Sequence, residues 1–183
     1  MKVKVENVRA AFMNVFKPDS KYERYGASFP IEPGSANAKR LDDAIKVLAK
    51  EKWGEKAPGI LTKMKSEGAL CYLAHAKTNS EGEVYDGFED MHTLNSSNKA
   101  RPLVIDRQKN VLLEEDGIPY SGCFVMAMVD LWAQDNSFGK KINATLTGVQ
   151  FYAHGDAFSG AKPATPDDFD DLGEGADSGD DLT

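Results

Sequence analysis

The sequence contains few of the residues from which metal centres and catalytic sites are built. It has two cysteines, Cys71 and Cys123, without C-x-x-C spacing, and only three histidines, so a Cys/His-rich metal site is hard to assemble. The G-x-S-x-G and H-E-x-x-H patterns are absent, and residues 160–163 lack the Gly-Lys-Ser/Thr step of a phosphate-binding loop. We therefore predict no cofactor, no metal and no enzymatic activity. Both cysteines are expected to be reduced and buried.

Long apolar runs are also absent. None approaches the ~20 residues that a membrane-spanning helix requires, and the charged, alternating start MKVKVENV lacks the apolar run of a signal peptide. We expect a soluble, intracellular protein without membrane contacts.

Basic residues are missing from one segment, residues 163–183, which contains eight acidic residues. Removing those eight from the 29 Asp and Glu leaves 21, against 22 Lys and Arg, so the body is close to +1 although the chain carries −7. A Gly/Ser/Pro-rich, highly charged segment cannot bury a core, which predicts a disordered tail. The tail is expected to imitate a polyanion over a cationic groove of the body and to bind partner proteins when a polyanionic ligand displaces it. The candidate partner-binding residues combine carboxylates with apolar side chains: Asp167, Asp168, Phe169, Asp170, Asp171 and Leu172.

Hydrophobic periodicity predicts a mainly β body, residues 1–162. Strands are indicated at residues 2–5, 22–31 (with a bend at Gly26), 69–77, 88–94, 101–106, 122–132 and 140–152, with a loop at 95–98. The run 122–132 is apolar on both faces, which is typical of a central strand covered on both sides. This pattern suits a small β-barrel with long loops, and a β-sandwich is the alternative.

A helical insertion interrupts the strands at about residues 36–67. Apolar residues recur at helical spacing from Ala36 to Trp53, after a cap at Ser35 or Asn37. A second short helix is predicted between Pro58 and Gly68.

Aromatic and basic residues are interleaved along the chain, as in Phe16-Lys17 and Arg24-Tyr25. Unpaired bases stack on aromatic rings, by about 1–3 kcal/mol per base, and phosphates bind Lys and Arg with release of counterions. Neither interaction reads sequence, so the pattern favours a general binder of single strands. The alternative is that an ordinary aromatic content of 9% only builds the core.

Two further functions remain open from the residues alone. Asp86, Glu89 and Asp90 are close enough in sequence to hold a divalent cation in a nuclease, although a solvated acidic loop has the same composition. The protein is alternatively an adaptor whose acidic tail recruits other proteins without DNA binding.

Three segments resemble a family of bacteriophage single-stranded DNA-binding proteins: Phe88 to Asp106, Ile118 to Asn136 and Gly139 to Gly160. The resemblance implies an OB-fold barrel and a role in phage DNA replication or recombination, in the cytoplasm of the infected bacterium. The final residues, Asp180 to Thr183, depart from the aromatic ending of bacterial housekeeping single-strand binders. This departure leaves the identity of the tail's partner open, with a phage-encoded protein as one candidate.

The resemblance places the DNA site on these segments, and the individual side chains are our own inference. The residues expected to hold phosphates are Asn98, Lys99, Arg101, Lys140 and Lys141, with Arg107 at the rim. The stacking candidates are Tyr25, Phe88, Trp132 and Phe151, some of which we expect in the core. The predicted partners are single-stranded DNA, duplex DNA more weakly, replication or recombination proteins, and further copies of the chain on DNA.

Overall fold

The computed structural model describes residues 1–158 and 169–171. Two α-helices, α1 (Ala36–Trp53) and α2 (Ala57–Glu67), are inserted among eight strands. The strands are β1 (Lys2–Arg9), β2 (Ala11–Asn14), β3 (Tyr25–Ile31), β4 (Tyr72–Leu73), β5 (His92–Asn98), β6 (Leu103–Ile105), β7 (Phe124–Asn136) and β8 (Gly139–Ala153). The mainly β class and the helical insertion are therefore confirmed.

The sheet closes into a barrel because one stretch of chain occupies both of its ends. The strand order is β1-β7-β8-β5-β3-β2, and only Ala10 separates β1 from β2. Neighbouring strands along this order are antiparallel except β5 and β8, which run parallel and pair at Ser97 and Thr145. This closed, mixed arrangement is an OB-type barrel, and it excludes the β-sandwich alternative.

The gap between β5 and β8 is filled by the segment that leads into β4. The Cys71 amide donates to the Ile142 carbonyl at 2.8 Å, and the Cys71 carbonyl accepts from the Asn95 amide at 2.8 Å. The predicted strand 69–77 is therefore wrong in length, since only Tyr72–Leu73 forms a regular ladder. Before β4, the segment contacts β8 through an isolated parallel bridge between Leu70 and Ile142.

The predicted loop at 95–98 is also wrong. Asn95 to Asn98 continue β5 and pair residue by residue with β3, from Asn95 opposite Ser28 to Asn98 opposite Tyr25. Asn and Ser are depleted from strands in general, so here the pairing partner decides the conformation. The same ladder passes through Gly26 without a register shift, so the predicted bend is absent there.

The barrel interior is built from the alternating faces of the long strands. In β7 the inward residues Val125, Ala127, Val129 and Leu131 are buried, whereas the residues between them are half-buried. The predicted full cover on both faces of this strand is thus only partial, although β7 does lie between β1 and β8. Cys71 and Cys123 are both buried, as predicted.

The helical insertion is tied to the barrel at both ends of α1. The Ser35 side chain caps the helix by accepting from the Ala38 amide at 3.2 Å, as predicted. Asn37 exchanges two hydrogen bonds with the backbone of Glu6 in β1, at 3.0 and 2.8 Å. At the other end, Trp53 Nε1 donates to Asp135 in β7 at 2.8 Å.

Among the described residues, no helix has both the length and the apolar character that crossing a bilayer would demand.

Candidate nucleic-acid interface

A groove crosses the outer surface of the barrel over β3, β5 and the β7–β8 hairpin. It consists of two concavities, of about 450 and 410 Å³, which share Arg24, Ser96 and Ser97 as lining residues. Trp132 and Lys141 line the first concavity. Phe12, Tyr22, Arg24 and Tyr25 line the second, with Gly26. The shared residues make the two concavities one continuous surface.

The floor of this groove is made of small and polar side chains on the outward faces of β3 and β5. Ser28 Oγ donates to Asn95 Oδ1 at 2.8 Å, and Arg24 Nε donates to Ser97 Oγ at 3.2 Å. A Cβ at Gly26 would lie 2.7 Å from the Ser96 carbonyl oxygen, closer than packed atoms come, so only glycine fits against β5 there. The floor therefore stays shallow enough for an extended strand and offers hydrogen-bonding groups along its length.

Trp132 and Lys141 stand beside each other on the wall of the groove. The Trp132 residue is 44% exposed, and its Nε1 donates to Thr145 Oγ1 at 3.1 Å, which fixes the orientation of the ring. Lys141 is exposed, and it forms no ion pair with any described residue. A fixed aromatic face next to an unpaired cation is the combination that a nucleotide requires, since the base stacks and the phosphate is neutralised.

The full sequence matches a family model described as the single-stranded DNA-binding protein of Enterobacter phage Enc34, over residues 1–182. The chain belongs to this family. The protein p50 of Acyrthosiphon pisum secondary endosymbiont phage 1 is 38% identical over an alignment of 179 residues that covers 94% of each chain.

Solved structures of phage proteins share the architecture of this Enc34-family member. The Enc34 single-stranded DNA-binding protein in complex with ssDNA aligns with a TM-score of 0.67 at 22% identity, over 86% of this chain and 89% of that one. Gp2.5, a single-stranded DNA-binding protein encoded by bacteriophage T7, aligns with a TM-score of 0.55 at 12% identity, over 83% of this chain and 91% of that one. At such identities the likeness establishes the common fold.

The other predicted phosphate ligands lie in different surroundings. Lys140 is held by Asp135 at 2.6 Å, and the hydrogen bonds from Lys140 and Trp53 lower the pKa of the Asp135 carboxyl. Lys99 is exposed without an ion pair among the described residues, just beyond the end of β5. Arg101 lies 5.4 Å from the centre of the Phe16 ring. Lys99 and Arg101 therefore remain available at this end of the barrel, whereas Lys140 is already neutralised.

Asn98 and Arg107 make structural contacts. Asn98 Nδ2 donates to the Leu146 carbonyl at 2.9 Å, and its Oδ1 accepts from the Ala100 amide at 2.9 Å, so its amide holds the turn after β5. Arg107 Nη1 donates to the Tyr152 carbonyl at 3.1 Å, and its guanidinium lies 5.0 Å from the Tyr152 ring centre. Neither residue lines the groove described above.

The four stacking candidates divide into two groups. Phe88 is completely buried and Phe151 is 8% exposed, so neither ring has a free face and both belong to the core. Tyr25 borders the groove, but strand alternation places its side chain with Ala27 and Phe29, which are buried. Of the four, Trp132 alone presents its ring to the groove wall.

Several groove residues were not among the predicted site residues. Tyr22 in the β2–β3 connection lines the second concavity and is 67% exposed; Phe138 in the β7–β8 turn is 84% exposed but lines neither concavity. Arg24 links the two concavities, and Phe12 projects at the far end. The exposure of Tyr22 and Phe138 could have been predicted from the sequence, because large aromatic residues in polar turn segments are difficult to bury. The position of Phe12 depends on a local distortion of β2 that no pattern indicated.

The acidic cluster of the nuclease alternative is not arranged as a metal site. Glu89 accepts from the Gly87 amide at 2.9 Å. Within residues 1–158 and 169–171, no three His, Cys, Asp or Glu side chains come together as a metal-binding group.

Arg9 holds residues 156–158, the last described residues before the acidic tail, against the barrel. Arg9 donates to the carbonyls of Gly122 and Asp156 at 3.1 and 2.6 Å, and its guanidinium carbon lies 3.9 Å from the centre of the Phe158 ring. A Cβ at Gly122, where φ is +111°, would lie 2.2 Å from the Asp156 carbonyl oxygen. Among the predicted tail residues, Phe169, Asp170 and Asp171 are exposed. Asp167, Asp168 and Leu172 lie outside the described residues.

Proposed function

We propose that the protein binds single-stranded DNA in the groove over β3, β5 and the β7–β8 hairpin, without sequence preference. The observation that carries this proposal is the pairing of Trp132, whose ring is exposed and fixed by Thr145, with the unpaired cation of Lys141 in an open groove. Membership of the Enc34 family, whose model is described as a single-stranded DNA-binding protein, supports the same function.

The contacts in the groove explain why binding is general. Stacking on Trp132 and Tyr22 uses the flat face that every base has, and charge contacts with Lys141 and Arg24 use the phosphates common to every nucleotide. In a duplex the base faces are covered by stacking on their neighbours. We therefore expect duplex DNA to bind more weakly, through phosphate contacts alone.

Membership of a family described by a phage protein supports a proposal for the biological setting. We propose that the protein covers single strands during phage DNA replication or recombination, in the cytoplasm of the infected bacterium, and that it acts by binding and not as an enzyme. Copies of the chain are proposed to associate along the covered strand.

The acidic tail is proposed to compete with DNA for the groove and to recruit replication or recombination proteins through residues Asp167 to Leu172. The position of Phe158, the last described residue before the tail, supports this proposal. Phe158, which Arg9 fixes against the barrel, lines the same concavity as Phe12 and Tyr85. Since Phe12 also lines the groove, the last described residue before the tail lies next to the surface that the tail is proposed to cover.

Lys141→Ala, with Lys50→Ala as its matched control, tests the groove assignment. Both lysines are exposed and neither forms an ion pair among the described residues, but Lys50 lies on α1. Titration of a fluorescent oligothymidylate at several salt concentrations should give a weaker affinity for Lys141→Ala. Its slope of log K against log salt should be shallower by about 0.7, the value for one lost phosphate contact on a single strand. Equal slopes for Lys141→Ala, Lys50→Ala and the unmodified chain would contradict the proposed site.

A further inference from the structure

Strand β2, which closes the barrel, is distorted where it borders the groove. Between Ala11, which pairs with Ser28, and Asn14, which pairs with Gly26, the register shifts, so that Phe12 and Met13 together oppose Ala27. Such a β-bulge redirects one side chain. At Phe12 the backbone has a φ of 52°, a left-handed conformation that is uncommon for a bulky residue and costs free energy.

The distortion leaves Phe12 exposed between two concavities. The residue is 41% exposed, although its neighbours Ala11 and Val15 are buried. It lines the groove on one side and, on the other, a concavity of about 320 Å³ that Glu83 and Asp86 border. The ring therefore stands between the groove, which Arg24 and Asp19 line at this end, and a surface bordered by two carboxylates.

Two side chains contact the Phe12 ring and position it. The Tyr85 ring centre lies 4.8 Å away, with the two planes at 77° in an edge-to-face arrangement. The Lys77 ammonium lies 5.3 Å from the Phe12 ring centre. Phe12 is thus held by the chain outside the barrel, in residues 77–85, and not by the core.

Lys77 is a half-buried cation whose hydrogen-bond partner is neutral. Its Nζ donates to Asn95 Oδ1 at 2.9 Å, the same oxygen that accepts from Ser28 in the groove floor. Among the described residues it forms no ion pair. Burial lowers the pKa of this ammonium, since no anion offsets the loss of water. Buried charges are normally paired, so an anion from a ligand would complete the site.

We propose that Phe12, Tyr85 and Lys77 form a second nucleotide subsite at the end of the groove, opposite Trp132. One base packs against the exposed part of the Phe12 ring, and its phosphate lies against the ammonium of Lys77. The carboxylates of Glu83 and Asp86 repel the next phosphate, so this subsite holds the last nucleotide of the bound segment. The inference rests on the proposed binding of single-stranded DNA to the groove.

The test uses the full chain with Phe12→Leu, Phe12→Tyr and Lys77→Gln. Fluorescence anisotropy with oligothymidylates of increasing length should show that Phe12→Leu weakens binding by about fivefold to 150-fold, the range for one lost base stack. The loss should appear once the oligonucleotide is long enough to reach from Trp132 to Phe12. Phe12→Tyr, which keeps the ring, should lose much less affinity than Phe12→Leu. Lys77→Gln should make the salt slope shallower by about 0.7.

Two controls keep the outcomes separate. Leu103→Ala removes an exposed apolar side chain that does not line the groove and should leave affinity unchanged. Trp132→Ala tests the groove itself: if it weakens binding while Phe12→Leu matches the unmodified chain at every length, the subsite is wrong and the groove stands. If the unmodified chain binds no oligonucleotide, the proposed function fails.

A local probe covers the case in which Phe12→Leu lowers stability. In Phe12→Trp, stacking of a base should quench the new indole, so that saturating oligothymidylate lowers fluorescence by more than in the unmodified chain. An equal decrease in the two proteins would overturn the subsite.

Discussion

Replacing Trp132 with alanine should mainly weaken DNA binding, whereas replacing Phe88 with alanine should mainly lower the stability of the fold. Trp132 is 44% exposed and Phe88 is completely buried. Loss of one stacking platform should cost about 1–3 kcal/mol of binding free energy. For stability, Trp132→Ala removes the hydrogen bond to Thr145, worth about 1 kcal/mol. Phe88→Ala should instead lower the free energy of unfolding by about 3–5 kcal/mol, because it leaves a cavity in the core.

The two effects are separated by measuring each on the same samples. Urea denaturation followed by circular dichroism gives the free energy of unfolding, and anisotropy of a labelled oligothymidylate gives the affinity of the folded protein. If Phe88→Ala is too unstable to fold, Phe88→Leu retains most of the volume and serves instead. Normal DNA affinity of Trp132→Ala, or weak affinity of a folded Phe88 variant, would refute the division of the aromatic residues into platform and core.

Three more predictions concern the residues beyond the end of β5, the tail and a buried thiol. The double variant Lys99→Ala/Arg101→Ala should weaken binding and flatten the salt dependence; a titration with unchanged affinity and slope would remove these residues from the site. Deletion of residues 163–183 should tighten binding of single strands, most strongly at low salt, and equal affinity at all salt concentrations would rule out competition by the tail. Burial raises the pKa of Cys71 from about 9 to about 12, so between these pH values the unfolded thiol ionises and the folded one does not. The free energy of unfolding should then fall by about 1.4 kcal/mol per pH unit above pH 9, and Cys71→Ala should show a shallower fall in alkaline urea titrations.

The elements that the sequence predicts well are those whose signals are local. Helix α1 follows from the spacing of Leu41, Ala44 and Ile45 and from its cap at Ser35, and β8 follows from strict alternation. The second half of β5 could not be predicted, because Asn95 to Asn98 have low strand propensity and become a strand only by pairing with β3. Secondary structure that depends on a distant partner leaves little trace in its own residues.

The same distinction applies to the candidate site. Lys140 and Lys141 are equivalent in sequence, yet alternation along β8 sends one to Asp135 and the other to the groove. Phe88 was a stacking candidate because aromatic residues are interleaved with basic ones along the chain, but the fold buries it completely. Phe12 was overlooked because its exposure comes from a bulge in β2. In each case the residue type indicated a possible DNA contact, whereas the tertiary structure decided whether the side chain points into the groove, into the core or toward an ion-pair partner.

A formal charge of −7 is compatible with DNA binding because the charges are segregated along the chain. At physiological ionic strength, charges interact over about 8 Å, so a phosphate in the proposed groove would respond mainly to the charged lining residues Arg24, Lys141 and Asp19, and hardly to distant carboxylates. At 0.01 M salt the range grows to about 30 Å, so under the proposed competition the eight carboxylates of residues 163–183 would oppose DNA most strongly there. The net charge of the protein therefore says little about its affinity for DNA at physiological salt. It does determine how that affinity changes as salt is removed.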